Sequence, residues 1–188
     1  MVVSNTSTAS TLTGMVAEYS SAQLMDMNRD KLARLGVDRA GADRLFANPN
    51  YTSIDATAMT EALASLAGVK NLDAMVARAA AADSRATAYF IRKRIEMTAA
   101  WQRRRRTIAA FAHDDDLRFP LCLTAGGGAV GAYPIDSLSW TPETEQIIEA
   151  MTSATAGRKT LVITGTATPL ARRKLSALGW RLEERAKL

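Results

Sequence analysis

Thr160-Leu161-Val162-Ile163-Thr164 is the strand signal that decides the fold, and it runs directly into Gly165-Thr166-Ala167-Thr168-Pro169. Five aliphatic or β-branched residues followed by a glycine turn read as a buried strand that ends abruptly. Thr168 stands where a helix needs an N-cap, and Pro169 stands at the first helical position, where its missing N–H costs nothing. That helix closes at Gly179, and Trp180 to Glu183 read as a final strand. Strand, helix and strand in this order predict a parallel crossover, right-handed by the general rule. About 15 residues separate the two strands, near the lower limit for such a unit.

Working upstream, Phe119 to Leu123, the turn Gly126-Gly127-Gly128 and Ala129 to Ile135 predict a β-hairpin with a flexible turn. Thr141 and Pro142 open a helix running to about Met151. The predicted C-terminal order is strand, strand, helix, strand, helix, strand. Farther upstream the pattern is helical. A stretch from Leu12 to Leu35, with a break near Ser20 and Ser21, stops at Gly36. Asp38 caps a short helix through Leu45 and Phe46, ended by Asn48-Pro49-Asn50. A third helix begins near Ser53, carries Ile54, Met59, Leu63 and Leu66 on one side, and stops at Gly68. Asn71 caps a long segment to Ala112 with a kink near Asp83 and Ser84. Within it Phe90, Met97, Trp101, Ile108 and Phe111 recur at helical spacing, which predicts a core stripe including Trp101. Ala79 to Ala82 leave room for a neighbouring helix.

The predicted class is therefore α+β: a helical N-terminal two thirds packed with a small C-terminal α/β unit, hairpin plus strand-helix-strand. Residues 1–20 read as a Ser/Thr-rich tail and the start of the first helix, 21–116 as the helical region and 117–188 as the α/β region, the last two forming one packed body. The link Asp114 to Arg118 has no Gly/Ser/Pro spacer to hold them apart.

Composition narrows the function classes. With 188 residues, 47% hydrophobic and 23% charged, the chain has globular composition. No run of about 18 apolar residues suggests a membrane span. A single histidine and a single cysteine exclude His-rich or Cys-rich metal sites and any intramolecular disulfide. Cys122, set between Leu121 and Leu123, reads as a small buried hydrophobe. Met1-Val2-Val3 and the uncharged stretch Ser4 to Thr13 lack the basic start and apolar run of a signal peptide. No motif calls for a cofactor.

Charge is concentrated. Between Arg92 and Arg106 stand seven basic residues (Arg92, Lys93, Arg94, Arg103, Arg104, Arg105 and Arg106) against Glu96 alone. The formal net charge of +5 thus comes from one segment, the form an anionic partner requires. Phosphate contacts from these residues, with Trp101 or Tyr89 stacking on bases, would suit nucleic acid, and anionic lipid would suit the same charge. The plainer reading is a solvated helix face partly neutralised by acids such as Asp114 to Asp116. No helix-turn-helix, zinc-finger or RNA-recognition signature accompanies the patch. The turn at Gly165, Thr166 and Thr168 offers N–H groups that could hold an anion, but it matches no phosphate-loop motif and fits a capped strand-to-helix turn. His113-Asp114-Asp115-Asp116 lacks the glycine and spacing of a calcium loop. No nucleophile elbow accompanies His113.

Leu35-Gly36-Val37-Asp38, Asn48-Pro49-Asn50-Tyr51, Leu66-Ala67-Gly68-Val69, Ala88-Tyr89-Phe90-Ile91-Arg92 with Trp101, and Pro134-Ile135-Asp136 before Trp140-Thr141 form one set of segments. Ile163 to Arg173 followed by Leu175, Leu178, Gly179 and Trp180 forms another. In this order they resemble a family of bacterial proteins, mostly predicted to be exported, with no assigned biochemical function. The resemblance covers most of the chain after residue 20 and carries no catalytic motif. It implies a bacterial origin and a periplasmic or cell-envelope location, with a cytoplasmic location as the alternative. The expected function is a non-catalytic interaction module whose partner is another protein. The alternatives are a cytoplasmic nucleic-acid binder using Arg92 to Arg106, and a hydrolase with an unrecognised carboxylate site.

Overall fold

The computed structural model describes residues 14, 18–112 and 119–187. Among the described residues five helices of nine or more residues lead into the sheet: α1 (Ser21–Arg34), α2 (Arg39–Ala47), α3 (Ser53–Ala64), α4 (Leu72–Ala80) and α5 (Arg85–Arg105). They are followed by β1 (Ile108–Phe111), β2 (Cys122–Thr124), β3 (Ala129–Tyr133), β4 (Ser137–Leu138), α6 (Pro142–Ser153), β5 (Lys159–Ile163), β6 (Thr166–Ala167), α7 (Pro169–Ala177) and β7 (Trp180–Glu183). The class is α+β.

Local chemistry starts most of the helices. Ser20 and Thr52 form reciprocal capping boxes with Gln23 and Asp55. Asp38, Ser84, Thr141 and Thr168 accept hydrogen bonds from N–H groups in the first turns of α2, α5, α6 and α7. Pro142 and Pro169 sit at the expected first positions.

The sheet runs β1-β2-β3-β5-β7. The first two pairings are antiparallel and the last two parallel. β4 and β6 form a separate two-residue parallel pair. Alternation along the strands divides the sheet between two cores. Phe111, Cys122, Val130, Ala132 and Val162 join the helical layer, packing with Leu63, Ile91, Ile95 and Trp101. Leu121, Ala129, Leu161 and Ile163 face the other way, against Ile148 and Met151 of α6 and Ala171 and Leu175 of α7. The sheet is therefore covered on both sides.

Three sequence expectations are corrected. The single helix from Asn71 to Ala112 is two helices and a strand. Ser84 caps α5 separately from α4, while Asn71 lies in the left-handed region (φ 60°) and makes no side-chain cap. Its amide instead donates to the Phe111 carbonyl at 3.0 Å. Ile108 and Phe111 are buried as the stripe required, but from β1, because strand and helix face the same core. The sheet consequently begins inside the stretch read as helical. Ile54 is 50% exposed rather than on the core side, since α3 turns Ala56, Met59, Thr60 and Leu63 inward. The turn after β2 is pinned rather than free, because Gly157 N–H and the Thr155 hydroxyl both donate to the Gly127 carbonyl. The tail before residue 14, the helix start at Leu12 and the His113–Asp116 run lie outside the described residues.

Candidate functional site

The arginines of α5 do not form one surface. In its middle, Arg92 pairs with Asp55 at 3.2 Å and Glu96 at 2.7 Å, and Lys93 pairs with Glu96 at 2.8 Å. Burial pushes the Asp55 carboxyl up, but hydrogen bonds from Thr52 and the charge of Arg92 bring it below its ordinary value. These two cations are thus neutralised within the fold.

Arg94 faces inward and is 1% exposed. Its guanidinium donates to the Pro120 carbonyl at 2.7 Å and lies 5.2 Å and 4.9 Å from the Phe119 and Tyr133 rings. It serves the core and offers nothing to a partner in solution. Nearby Cys122 is fully buried, and burial pushes its thiol up to about 11 despite opposing contributions from Arg94 and Thr98. A thiol held there is protonated at neutral pH and is a packing group.

The C-terminal turn of α5 fans its four arginines apart, as a 100° step per residue requires. Arg103 donates to the Ser65 hydroxyl at 3.2 Å. Arg104 bends back to the Ala100 carbonyl at 3.3 Å. Arg105 lies 5.4 Å over the Trp101 ring, and Trp101 itself is 8% exposed. Arg106 ends the helix at φ 50°. Two side chains make that ending firm. Gln102 pairs with both backbone groups of Ile108, at 2.9 Å and 3.0 Å, and the Trp101 indole donates to Thr107 at 3.2 Å.

Arg105 and Arg106 thereby reach a cleft of about 390 Å³, completed by Arg158 before β5 and Arg181 of β7. Its floor is the cross-strand row Val130, Thr160 and Arg181, consecutive partners on β3, β5 and β7. Among the described residues Glu183 is the one acid lining it. Its carboxylate stands 4.0 Å from Arg105 and 3.6 Å from Arg181, both long for ion pairs. Sequence reasoning placed Arg105 and Arg106 among its candidates and missed Arg158 and Arg181. The signal available for the latter pair was their position, just before one predicted strand and at the second residue of another.

The glycine turn holds the third arginine in place. Gly157 N–H donates to the Gly127 carbonyl at 3.0 Å, Ala129 N–H to the Arg158 carbonyl at 2.9 Å, and the Thr155 hydroxyl to the Gly127 carbonyl at 2.7 Å. A Cβ on Gly128 would stand 2.2 Å from the Arg158 oxygen, and one on Gly157 2.6 Å from the Gly128 nitrogen. Two backbones in contact admit no side chain between them.

The other sequence candidate is filled from within. At the Gly165 turn, Gly165, Thr166 and Thr168 donate their N–H groups to the Ile135, Asp136 and Leu138 carbonyls. Ala167 N–H donates to the Glu184 carboxylate at 2.6 Å. Arg172 holds both oxygens of that carboxylate, at 3.0 Å and 2.8 Å, and these bonds, with the Ala167 N–H, hold the Glu184 carboxyl below its ordinary value. The chain's own carboxylate occupies the place an anion would take.

Among the described residues no helix is long and apolar enough to cross a membrane, and no group of three or more His, Cys, Asp or Glu could hold a metal ion. No protein-family model, curated protein or solved structure matches the chain.

Proposed function

We propose that this protein is a non-catalytic binding module that holds an anionic partner in the cleft between the end of α5 and the sheet. The observation that carries the reading is the gathering of Arg105, Arg106, Arg158 and Arg181, from separate stretches of chain, around one concavity with a single acid among the described residues. Assembling like charges costs electrostatic energy in the empty state, and an anion returns it. An apolar protein interface has less support. Among the described residues the exposed large hydrophobics are Met27, Ile54, Tyr89 and Leu170, and none of them lines the cleft.

The test is retention of the full chain on immobilised heparin, used as a generic polyanion, and its elution by salt. Arg158→Gln and Arg181→Gln should each elute at lower salt than the parent, whereas Arg103→Gln, outside the cleft, should shift less than either. An equal shift for all three would assign binding to net charge and overturn the cleft.

A further inference from the structure

Resting on the reading that the cleft binds an anion, we infer that its ligand is a small organic phosphate, with the phosphoryl group among the four guanidiniums and an apolar or flat body against the floor. Charge sets the class. Four arginines against Glu183 leave the lining at a formal +3, which a single carboxylate cannot balance. A phosphomonoester brings close to two negative charges and three acceptor oxygens in the volume of one group. Planar guanidinium forks match those oxygens pairwise.

Shape favours a compact ligand over a polymer. A nucleic-acid strand needs cations spaced along an open track. Here Arg103 turns to Ser65 and Arg104 to the main chain of α5, so the helix end makes no such track. What remains is a concavity of about 390 Å³, within the roughly 300–1,000 Å³ range of small-molecule sites. Val130 and Trp101 supply its apolar part. Thr107 and Thr124 supply directed donors. Each hydroxyl oxygen already accepts a bond, from the Trp101 indole and from Gly128 N–H, so its own proton is free to reach a phosphoryl oxygen.

Glu183 has a defined part in this site. Its carboxylate sits between Arg105 and Arg181 without a short bond to either. It is an internal competitor that a phosphate displaces.

Calorimetric titration of the full chain tests the inference with phenyl phosphate, inorganic phosphate, benzoate, a single-stranded oligonucleotide and vesicles containing phosphatidic acid. Phenyl phosphate should bind at least about tenfold more tightly than benzoate or inorganic phosphate. Arg158→Gln and Arg181→Gln should each weaken it by about tenfold, the scale of one charge-assisted hydrogen bond. Glu183→Gln should tighten it more than Glu149→Gln, which removes the same charge from an exposed site outside the cleft; equal effects would deny Glu183 its place as competitor. Vesicle binding that phenyl phosphate competes away supports the phosphoryl site and identifies a lipid as its source. Arginine-dependent binding of the oligonucleotide or benzoate with none of phenyl phosphate overturns this inference and leaves the anion-binding cleft standing. No arginine-dependent binding of any probe overturns both.

Discussion

Arg106 is a non-glycine residue in the left-handed region (φ 50°) at the end of α5, and that conformation carries strain a glycine would not have. Helices commonly end on glycine in this position. Arg106→Gly should therefore raise the free energy of unfolding by about 0.5–1 kcal/mol while weakening anion binding, and denaturant melts beside calorimetry separate the two effects. A loss of stability would mean that the Arg106 side chain holds the helix end. This residue also shows where reading the sequence stops. Arg103 to Arg106 announce a charged segment, but nothing in four identical residues tells which faces Ser65, which lies over Trp101 and which ends the helix. Arg158 and Arg181 stand alone in sequence, and only strand pairing brings them to the same place.

At the scale of elements, Asp38, Thr141 and Thr168 read as caps from the sequence, Ser20 and Ser84 only as a break and a kink, Asn71 as a cap it does not make, and the long-range pairings not at all. Ser20, Asp38, Ser84, Thr141 and Thr168 act within three residues of themselves, so their chemistry is written locally. β1 was hidden because Ile108 and Phe111 continue the apolar spacing of α5. What makes it a strand is the pairing of Ile108 with Thr124 and Phe111 with Cys122, together with the Gln102 side chain that closes the helix before it. The Glu184 clamp joins β6 to α7 in the same nonlocal way. Its carboxyl is lowered by the bonds from Arg172 and Ala167 N–H, so its contribution is complete above the ordinary Glu value of about 4.3 and is lost as pH falls through the lower folded value. Glu184→Gln should accordingly melt below the parent at pH 7, with the gap closing at pH 3 and lower. A gap that stayed constant across that range would deny the carboxylate its charged role.

For the whole molecule, the cleft ties the helical layer to the sheet, since Arg105 and Arg106 come from one and Arg158 and Arg181 from the other. An anion bound there stabilises the native state by mass action. Sulfate at about ten times its dissociation constant should add about 1.4 kcal/mol, a rise of about 3–5 °C in Tm for a chain of this length. Sodium chloride at equal ionic strength should give less, and Arg158→Gln/Arg181→Gln should abolish the difference. An undiminished sulfate effect in the double variant would place the stabilising site elsewhere. The cleft also has an unusual address. Val130, Thr160 and Arg181 are each the second residue of their strands, so the floor lies at the amino ends of three parallel strands, whereas ligands of open α/β sheets gather at the carboxyl ends. α6 and α7 return antiparallel to these strands and therefore point their carboxyl termini, the negative poles of their macrodipoles, toward the cleft's edge of the sheet. The backbone field of these two helices opposes an anion there, so affinity must come from the guanidinium groups and should fall steeply with each one removed.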